Sequence, residues 1–300
     1  MKKTLLIVGC GDIALRVAPL LQKHYRIFGL YRSLDSSDRL RSHGMIPIYG
    51  NLDCPKSLER LAGIAQLVVH LAPPPNQGLY DRRTAHLLSA LSKRTKTHVA
   101  ILPQRLIYIS TSGVYGNCDG ALIDEARPVR PENDRAIRRV DAERQIRHWG
   151  KRNRISVSIL RVPGIYAANR LPLTRLREGH PALLDDEDSY TNHIHADDLA
   201  RIICAALRYA KPCRIYHTTD DSHLKMGEYF DLVADHFGFS HPLRITRNEA
   251  KERISPGMFS FMKESRQLNN SRMKKELHVR LVYSTVLEGI KAAKLEIKKI

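Results

Sequence analysis

Residues 4–14 read TLLIVGCGDIA. Thr4–Val8 is an unbroken aliphatic run of strand length, not the alternation of a half-exposed strand, so it belongs in a sheet covered on both faces. Gly9 and Gly11 follow with one residue between them, and Ala14 comes three later. Each small residue has a separate task if a helix opens at Asp12. Gly9 permits the tight turn out of the strand, Gly11 puts no side chain in the way of a phosphate, and Ala14 lets the helix lie close to the strand. The helix start then offers unpaired N–H groups and a positive dipole to an anion. A glycine turn with no ligand is the plainer alternative. The strand–turn–helix context favours a dinucleotide cradle built from Gly9, Gly11, Asp12 and Ile13.

The same alternation continues outward. Apolar runs of strand length recur at 26–32 (RIFGLYR), 45–52 (MIPIYGNL), 66–72 (QLVVHLA), 105–112 (RLIYISTS) and 155–163 (ISVSILRVP). Helical patterns separate them, at about 12–22, 79–94 and along an arginine-rich stretch that includes DRAIRRVDAE (134–143). Strands alternating with helices predict an α/β fold, a Rossmann-like doubly wound parallel sheet. Residues 1–164 are expected to form the dinucleotide-binding domain. Residues 193–220 are expected to return to it, with a further strand at 213–220. Residues 165–192 and 221–300 are expected to build a smaller C-terminal substrate lobe over the carboxyl edge of the sheet, including an amphipathic helix at 227–239.

Composition excludes several classes. Five scattered cysteines form no CxxC pair, which argues against a disulfide framework and a zinc site. The opening MKKTLLIVGCGD imitates a secretion signal, but its apolar run is cut short by Gly9. No stretch reaches the roughly 18 apolar residues of a membrane span. The chain is expected to be soluble and cytoplasmic, without a membrane partner. The net charge of +18 arises from 49 basic and 31 acidic residues spread along the chain. No nucleic-acid-binding motif accompanies it, so nucleic acid is not the expected partner. A generally basic surface is the plainer reading of this charge, and a field that draws in phosphorylated ligands is the alternative; the expected partner is a small anionic substrate. No GxSxG elbow points to a hydrolase.

The end of the second strand separates two cofactors. A carboxylate there, about 20 residues past the glycines, holds the ribose 2′-hydroxyl of NAD. This chain has Tyr31, Arg32 and Ser33 instead, and the first acid, Asp35, comes late. A guanidinium and a hydroxyl suit a 2′-phosphate, so Arg32 and Ser33 favour NADP, with NAD as the alternative.

GCGDIA, YGNLD (49–53), VVHLAPP (68–74), STSGVYG (110–116), LRVPGIY (160–166), NHIHADDLA (192–200) and LNNSRMKKEL (268–277) occur in order. Together they resemble the epimerase/dehydratase-like branch of the extended short-chain dehydrogenase/reductases, over nearly the whole chain. The resemblance implies that Asn51, followed by Leu52, holds the adenine, and that Leu71, Ala72 and Pro73 lie along the cofactor. It also implies that Pro163 lies near the nicotinamide and that Thr111, next to Ser110, takes the catalytic Ser/Thr position. The family's catalytic signature is Tyr-x-x-x-Lys, and none of the 12 tyrosines here has lysine four residues later. Aligned on Ala142–Glu143, Arg135 falls at the tyrosine position and Arg139 at the lysine position. Arginine keeps its proton at neutral pH and cannot donate it. The chain therefore resembles the atypical subgroup that keeps the cofactor fold without the catalytic pair.

Arg135, Arg139, Ala142, Ile146 and Trp149 recur at helical spacing, so both arginines are expected to point inward. Arg144, Arg147 and Lys151 are expected to be solvated, and Arg138 to lie at the border. Two roles stay open for the inward pair. They pair with acids such as Asp124 or Glu125, or Arg139 holds the cofactor ribose or a phosphate while Arg135 clamps an anionic substrate group. His193 and His195 are not expected to bind metal, and Asp197 or Asp198 is expected to cap the helix that follows. His217 either borders the substrate cleft or sits in a plain turn. The functional expectation is an NAD(P)-binding oxidoreductase or isomerase acting on a nucleotide sugar or phosphorylated metabolite. A non-catalytic NADP-binding sensor or assembly protein is the alternative. The chain is expected to be a monomer or a homodimer, the charged outer face of the arginine-rich helix opposing pairing there.

Overall fold

In the computed structural model, which describes residues 2–33, 36–94 and 100–297, the opening run is an interior strand of the sheet. In chain order the principal elements are β1 (Lys3–Val8), α1 (Asp12–Leu21), β2 (Tyr25–Tyr31), α2 (Ser36–Ser42), β3 (Ile46–Tyr49) and β4 (Leu67–His70). They continue with α3 (Arg82–Leu91), β5 (Arg105–Thr111), α4 (Asp134–Asn153), β6 (Ser156–Val162), α5 (Ala196–Tyr209), β7 (Arg214–His217) and α6 (Met226–Phe237). Seven strands make one sheet in the order β7-β6-β5-β4-β1-β2-β3, and every pairing is parallel. Asp35 lies outside the described residues.

The period of two along β1 divides the interior into two layers. Leu5 and Ile7 pack with Val17 and Leu21 of α1 and with Leu199, Ile202 and Ile203 of α5. Leu6 and Val8 pack on the opposite face with Leu87 and Leu91 of α3 and Ala142, Ile146 and Trp149 of α4. The sheet is thus doubly wound, with helices on both faces, as the apolar runs predict. Among the described residues no helix is long and apolar enough to cross a membrane.

Two further buried apolar clusters lie mainly in the segments expected to form the smaller lobe. Tyr166, Tyr229, Phe230, Val233, Val286 and Ile290 form one, and Leu183, Ile245, Ile254, Phe259 and Met262 another. The lobe expected over 221–300 is not continuous, however. In Ser271–Leu277, Met273 and Leu277 return to the layer beneath α5. Met273 and Leu277, four residues apart, share the buried face of that short helix.

Strand order reverses between β1 and β4, which opens a crevice at their carboxyl ends. Leu71 and Ala72 N–H groups both donate to the Val8 carbonyl, at 2.7 and 3.0 Å, which draws the exit of β4 against the turn after β1. Gly9 has φ +94°, and a Cβ there would lie 2.4 Å from the Ala72 nitrogen. Gly9→Ala is therefore expected to lower the unfolding free energy of the ligand-free protein by about 2–4 kcal/mol, from a left-handed backbone and a clash against main chain together. Urea denaturation measures it, and an unchanged midpoint would refute the packing described.

Candidate functional site

Two cavities open along the carboxyl edge of the sheet. One of about 450 Å³ is lined by Gly9, Gly11, Arg32, Ser33, Asn51 and Leu52, together with Leu71, Ala72 and Pro73. The other, of about 310 Å³, is lined by Asp12, Ile13, Ser110, Thr111, Arg139 and Pro163. Gly9, Gly11 and Leu71 line both, so the cavities meet at the glycine turn as one cleft running from the end of β3 to the end of β6.

At the β3 end, the Asn51 side-chain oxygen accepts the Asp53 N–H at 2.9 Å, and the Asn51 N–H donates to Ser57 Oγ at 2.8 Å. Arg83 of α3, which nothing in the sequence singled out, lines this cavity and forks onto Asp53 at 2.7 and 2.6 Å. Those hydrogen bonds hold the Asp53 carboxyl below the usual carboxylate range. Arg32 is exposed and makes no ion pair among the described residues.

At the β6 end, the Asp12 carboxylate lies between Arg16 (3.2 Å) and Arg170 (3.1 Å), and Arg16 also reaches Asp197 at 2.6 Å. Arg170 lines the cavity from an irregular segment that carries no periodic signal in sequence. Thr111 ends β5, and its Oγ accepts the Gly113 N–H at 3.3 Å. Arg139 enters beside it from α4. Its Nη1 donates to Tyr108 Oη (3.0 Å) and the Ile109 carbonyl (2.8 Å), and it forms no ion pair among the described residues.

The two arginines expected to point inward part company. Asn133 caps α4 by accepting the Ala136 N–H at 2.9 Å, which places Arg135 in the first turn, past the edge of the core, and it is exposed. Partial desolvation lowers its proton affinity, Glu264 opposes that, and the charges of Arg139, Arg138 and Arg266 reinforce it. Arg135 lines neither cavity of the cleft. Arg138, expected at the border, is buried instead, with Nη1 donating to the Gly78 carbonyl at 2.6 Å. The covering loop before α3 decides this, and helical spacing carries no record of it. Asp124 and Glu125 are engaged elsewhere: Asp124 accepts the Ala126 N–H at 2.9 Å, and Glu125 accepts the His217 N–H at 3.0 Å.

Beneath Thr111 lies a buried polar network that sequence reasoning did not find. Glu143 of α4 accepts Ser110 Oγ (2.7 Å), Arg161 Nε (3.0 Å) and Arg161 Nη2 (2.7 Å). Arg161 lies over the Tyr115 ring at 4.7 Å, and Tyr115 Oη meets His217 Nε2 at 2.5 Å. His217 thus ends β7 inside the core, not in a turn. The cap on α5 also differs from expectation. His195 Nδ1 accepts the Asp197 N–H at 3.2 Å because the helix starts at Ala196, and Asp198 instead accepts the N–H groups of Val282 and Tyr283. Among the described residues no group of His, Cys, Asp or Glu is placed to hold a metal ion.

The model of the NAD dependent epimerase/dehydratase family matches residues 14–217. A structure of a functionally unknown conserved protein from Silicibacter pomeroyi superposes with a TM-score of 0.82 at 25% identity, covering 98% of this chain and 99% of that one. The dTDP-glucose 4,6-dehydratase of Bacillus anthracis, solved in complex with NAD, superposes with a TM-score of 0.77 at 18% identity over 99% of this chain and 97% of that one. In sequence, 122 residues are 25% identical to the human dTDP-D-glucose 4,6-dehydratase, spanning 38% of this chain and 35% of that protein.

Three histidines around the site give the fold a pH dependence. Burial holds His70, His193 and His217 down to about 3, so each is neutral in the folded chain. Unfolding returns them toward about 6.5, so below that pH the unfolded chain binds more protons and stability falls as pH drops toward 3. Each contributes up to about 1.4 kcal/mol per pH unit in that window. The urea midpoint of the wild type is expected to fall between pH 6.5 and 4.5, and to fall less steeply in His217→Gln. Equal slopes for the two proteins would refute the assignment.

Proposed function

The chain belongs to the NAD dependent epimerase/dehydratase family, and from that premise we propose that its cleft binds a nicotinamide dinucleotide, preferring NADP, and serves an oxidoreductase or isomerase acting on a small anionic substrate. A nucleotide sugar or a phosphorylated metabolite is the class meant. The observation that carries this reading is Gly11. Its backbone, at φ −86°, suits any residue, and nothing lies within 4 Å of where a Cβ would stand. Packing does not ask for glycine there, and an N-cap accepts several polar residues as well, so the open space at the start of α1 is accounted for by a pyrophosphate approaching the helix N–H groups. The NAD held by the Bacillus anthracis dehydratase supports a ligand of this class.

Arg32, Ser33 and Ser36 line the cavity where the adenosine ribose would lie, and a 2′-phosphate would meet the Arg32 guanidinium there. Asn51 would orient the adenine, and Leu71, Ala72 and Pro73 would lie along the cofactor's length.

A bound nicotinamide supplies hydride transfer. The chain's own contribution is positional and electrostatic. Thr111 Oγ can donate to a reacting oxygen at the cleft wall. Arg139 supplies fixed positive charge beside it, toward the nicotinamide ribose or a developing negative charge. Arg135, exposed at the first turn of α4, would meet an anionic substrate group only as it enters.

One observation favours a second reading, in which the protein binds cofactor without turning it over. Arginines stand where the family's tyrosine and lysine are expected, and Arg139 is already tied to Tyr108 and Ile109.

The deciding experiment is a calorimetric titration of cofactor-stripped protein with NADPH and with NADH at moderate salt. NADPH is expected to bind at least about tenfold more tightly, and Arg32→Ala to erase most of that difference, since one charge-assisted contact is worth about 1.5–3 kcal/mol. Gly11→Val is expected to abolish binding while costing the ligand-free protein no more than about 1 kcal/mol, the loss of a glycine N-cap. Binding of neither dinucleotide, or full binding by Gly11→Val, would overturn the proposal. Thr111→Val then separates the two readings, because it lowers turnover only if there is turnover to lower.

A further inference from the structure

A third cavity, of about 280 Å³, lies between the segment 125–129, α4 and the sheet, and shares no lining residue with either cavity of the cleft. Its charged lining is four arginines, Arg127, Arg144, Arg147 and Arg161, against two carboxylates, Glu125 and Glu143. Both carboxylates are already engaged. Glu143 takes Arg161 and Ser110 and, at 3.2 Å, Arg147, while Glu125 takes the His217 N–H and, at 3.4 Å, a fifth arginine, Arg272. Positive charge is left over within the cavity.

The donors are in excess as well. Arg147 Nε is buried and makes no hydrogen bond among the described residues, while Arg161 also interacts with Tyr115 beyond its two bonds to Glu143. Arg161 is 2% exposed, with Nε and Nη2 on Glu143. Arg127 and Arg144 make no ion pair among the described residues, so their guanidinium N–H groups are available to an acceptor that enters the cavity. Arg127 and Arg144 are exposed at the rim, where they can draw in an anion and close over it. Neither is needed to neutralise the carboxylates.

We propose that this cavity binds a small phosphorylated anion. Guanidinium forks match phosphate oxygens two at a time, and arginines converging from a helix, a strand and a loop suit a tetrahedral group carrying more than one negative charge. The volume fits a pyrophosphate or a phosphorylated three-carbon acid and falls below the usual range for larger ligands. The site is independent of the dinucleotide reading.

Inorganic pyrophosphate, titrated calorimetrically into the full chain at moderate salt, tests the proposal. The wild type is expected to bind at least one equivalent, and Gly11→Val, which obstructs the cleft at the glycine turn, to keep one. Arg144→Gln/Arg147→Gln is expected to bind at least tenfold more weakly with an unchanged thermal midpoint in the absence of ligand. Both side chains are at least partly exposed on a helix that glutamine suits. Arg127→Gln repeats the test from the facing segment without touching α4 and is expected to weaken binding in the same direction. No binding by the wild type overturns the proposal. So does undiminished binding by the arginine variants, or a loss confined to Gly11→Val, which would assign the pyrophosphate to the cleft.

Discussion

Both faces of β1 must be covered. Leu5, Leu6, Ile7 and Val8 are each fully buried, and their side chains alternate between two separate layers. One layer of helices cannot satisfy such a strand, so the chain must cross the sheet repeatedly. Right-handed crossovers between parallel strands are the compact way to do so. Parallel strands bring all their carboxyl ends to one edge, and the reversal of strand order beside β1 leaves a crevice there. Every residue given a role in the cleft stands on that edge or on a helix entering it. The location of the cleft is therefore a consequence of how an aliphatic strand is buried.

Within that frame, α4 carries two loads at once. Its apolar stripe of Ala142, Ile146 and Trp149 closes one face of the sheet. Its polar members build the interior charge network, with Glu143 gripping Arg161 across the layer and Arg139 holding the end of β5. A buried ion pair adds little net stability over an apolar pair, but losing one partner is expensive. The pair of Glu143 and Arg161, joined to Ser110, therefore fixes how α4 sits on β5 and β6 more than it strengthens the fold. Arg139 uses the position expected of the family's lysine for backbone and phenol contacts that keep its charge at the cleft wall.

The sheet, its order of elements and the glycine turn were legible in the sequence because each rests on local pattern. Aliphatic runs mark strands covered on both faces, and Gly9, Gly11 and Ala14 mark the turn into α1. The residues expected along the cofactor line the cleft for the same reason, since they follow strand ends. What escaped depends on contacts between distant segments. Helical spacing put Arg135 and Arg139 on one face but could not show that Asn133 starts the helix so late that Arg135 falls beyond the core. Nor could it show that the loop at Gly78 would cover Arg138. Arg83 and Arg170 enter the cleft from a helix and an irregular segment whose positions are set by tertiary packing. The pairing of Glu143 with Arg161, 18 residues apart, needed the register of α4 on β6. His195 took the capping role expected of Asp197 or Asp198 because a buried imidazole can accept an N–H as a carboxylate does.

The close approach of Gly9 to the backbone of Ala72 bears on how a ligand would arrive. The floor of the cleft is main chain held by main chain, with Leu71 and Ala72 both donating to Val8, and it is in place before anything binds. A ligand settling on such a floor orders little that was not already ordered, so little of its binding energy is spent on restricting the protein. Association should then resemble the docking of rigid surfaces, its rate set by encounter and by the field of a chain carrying a net charge of +18. Selectivity would have to come from the side chains at the rim, where Arg32 and Arg139 stand at opposite ends of the same fixed groove.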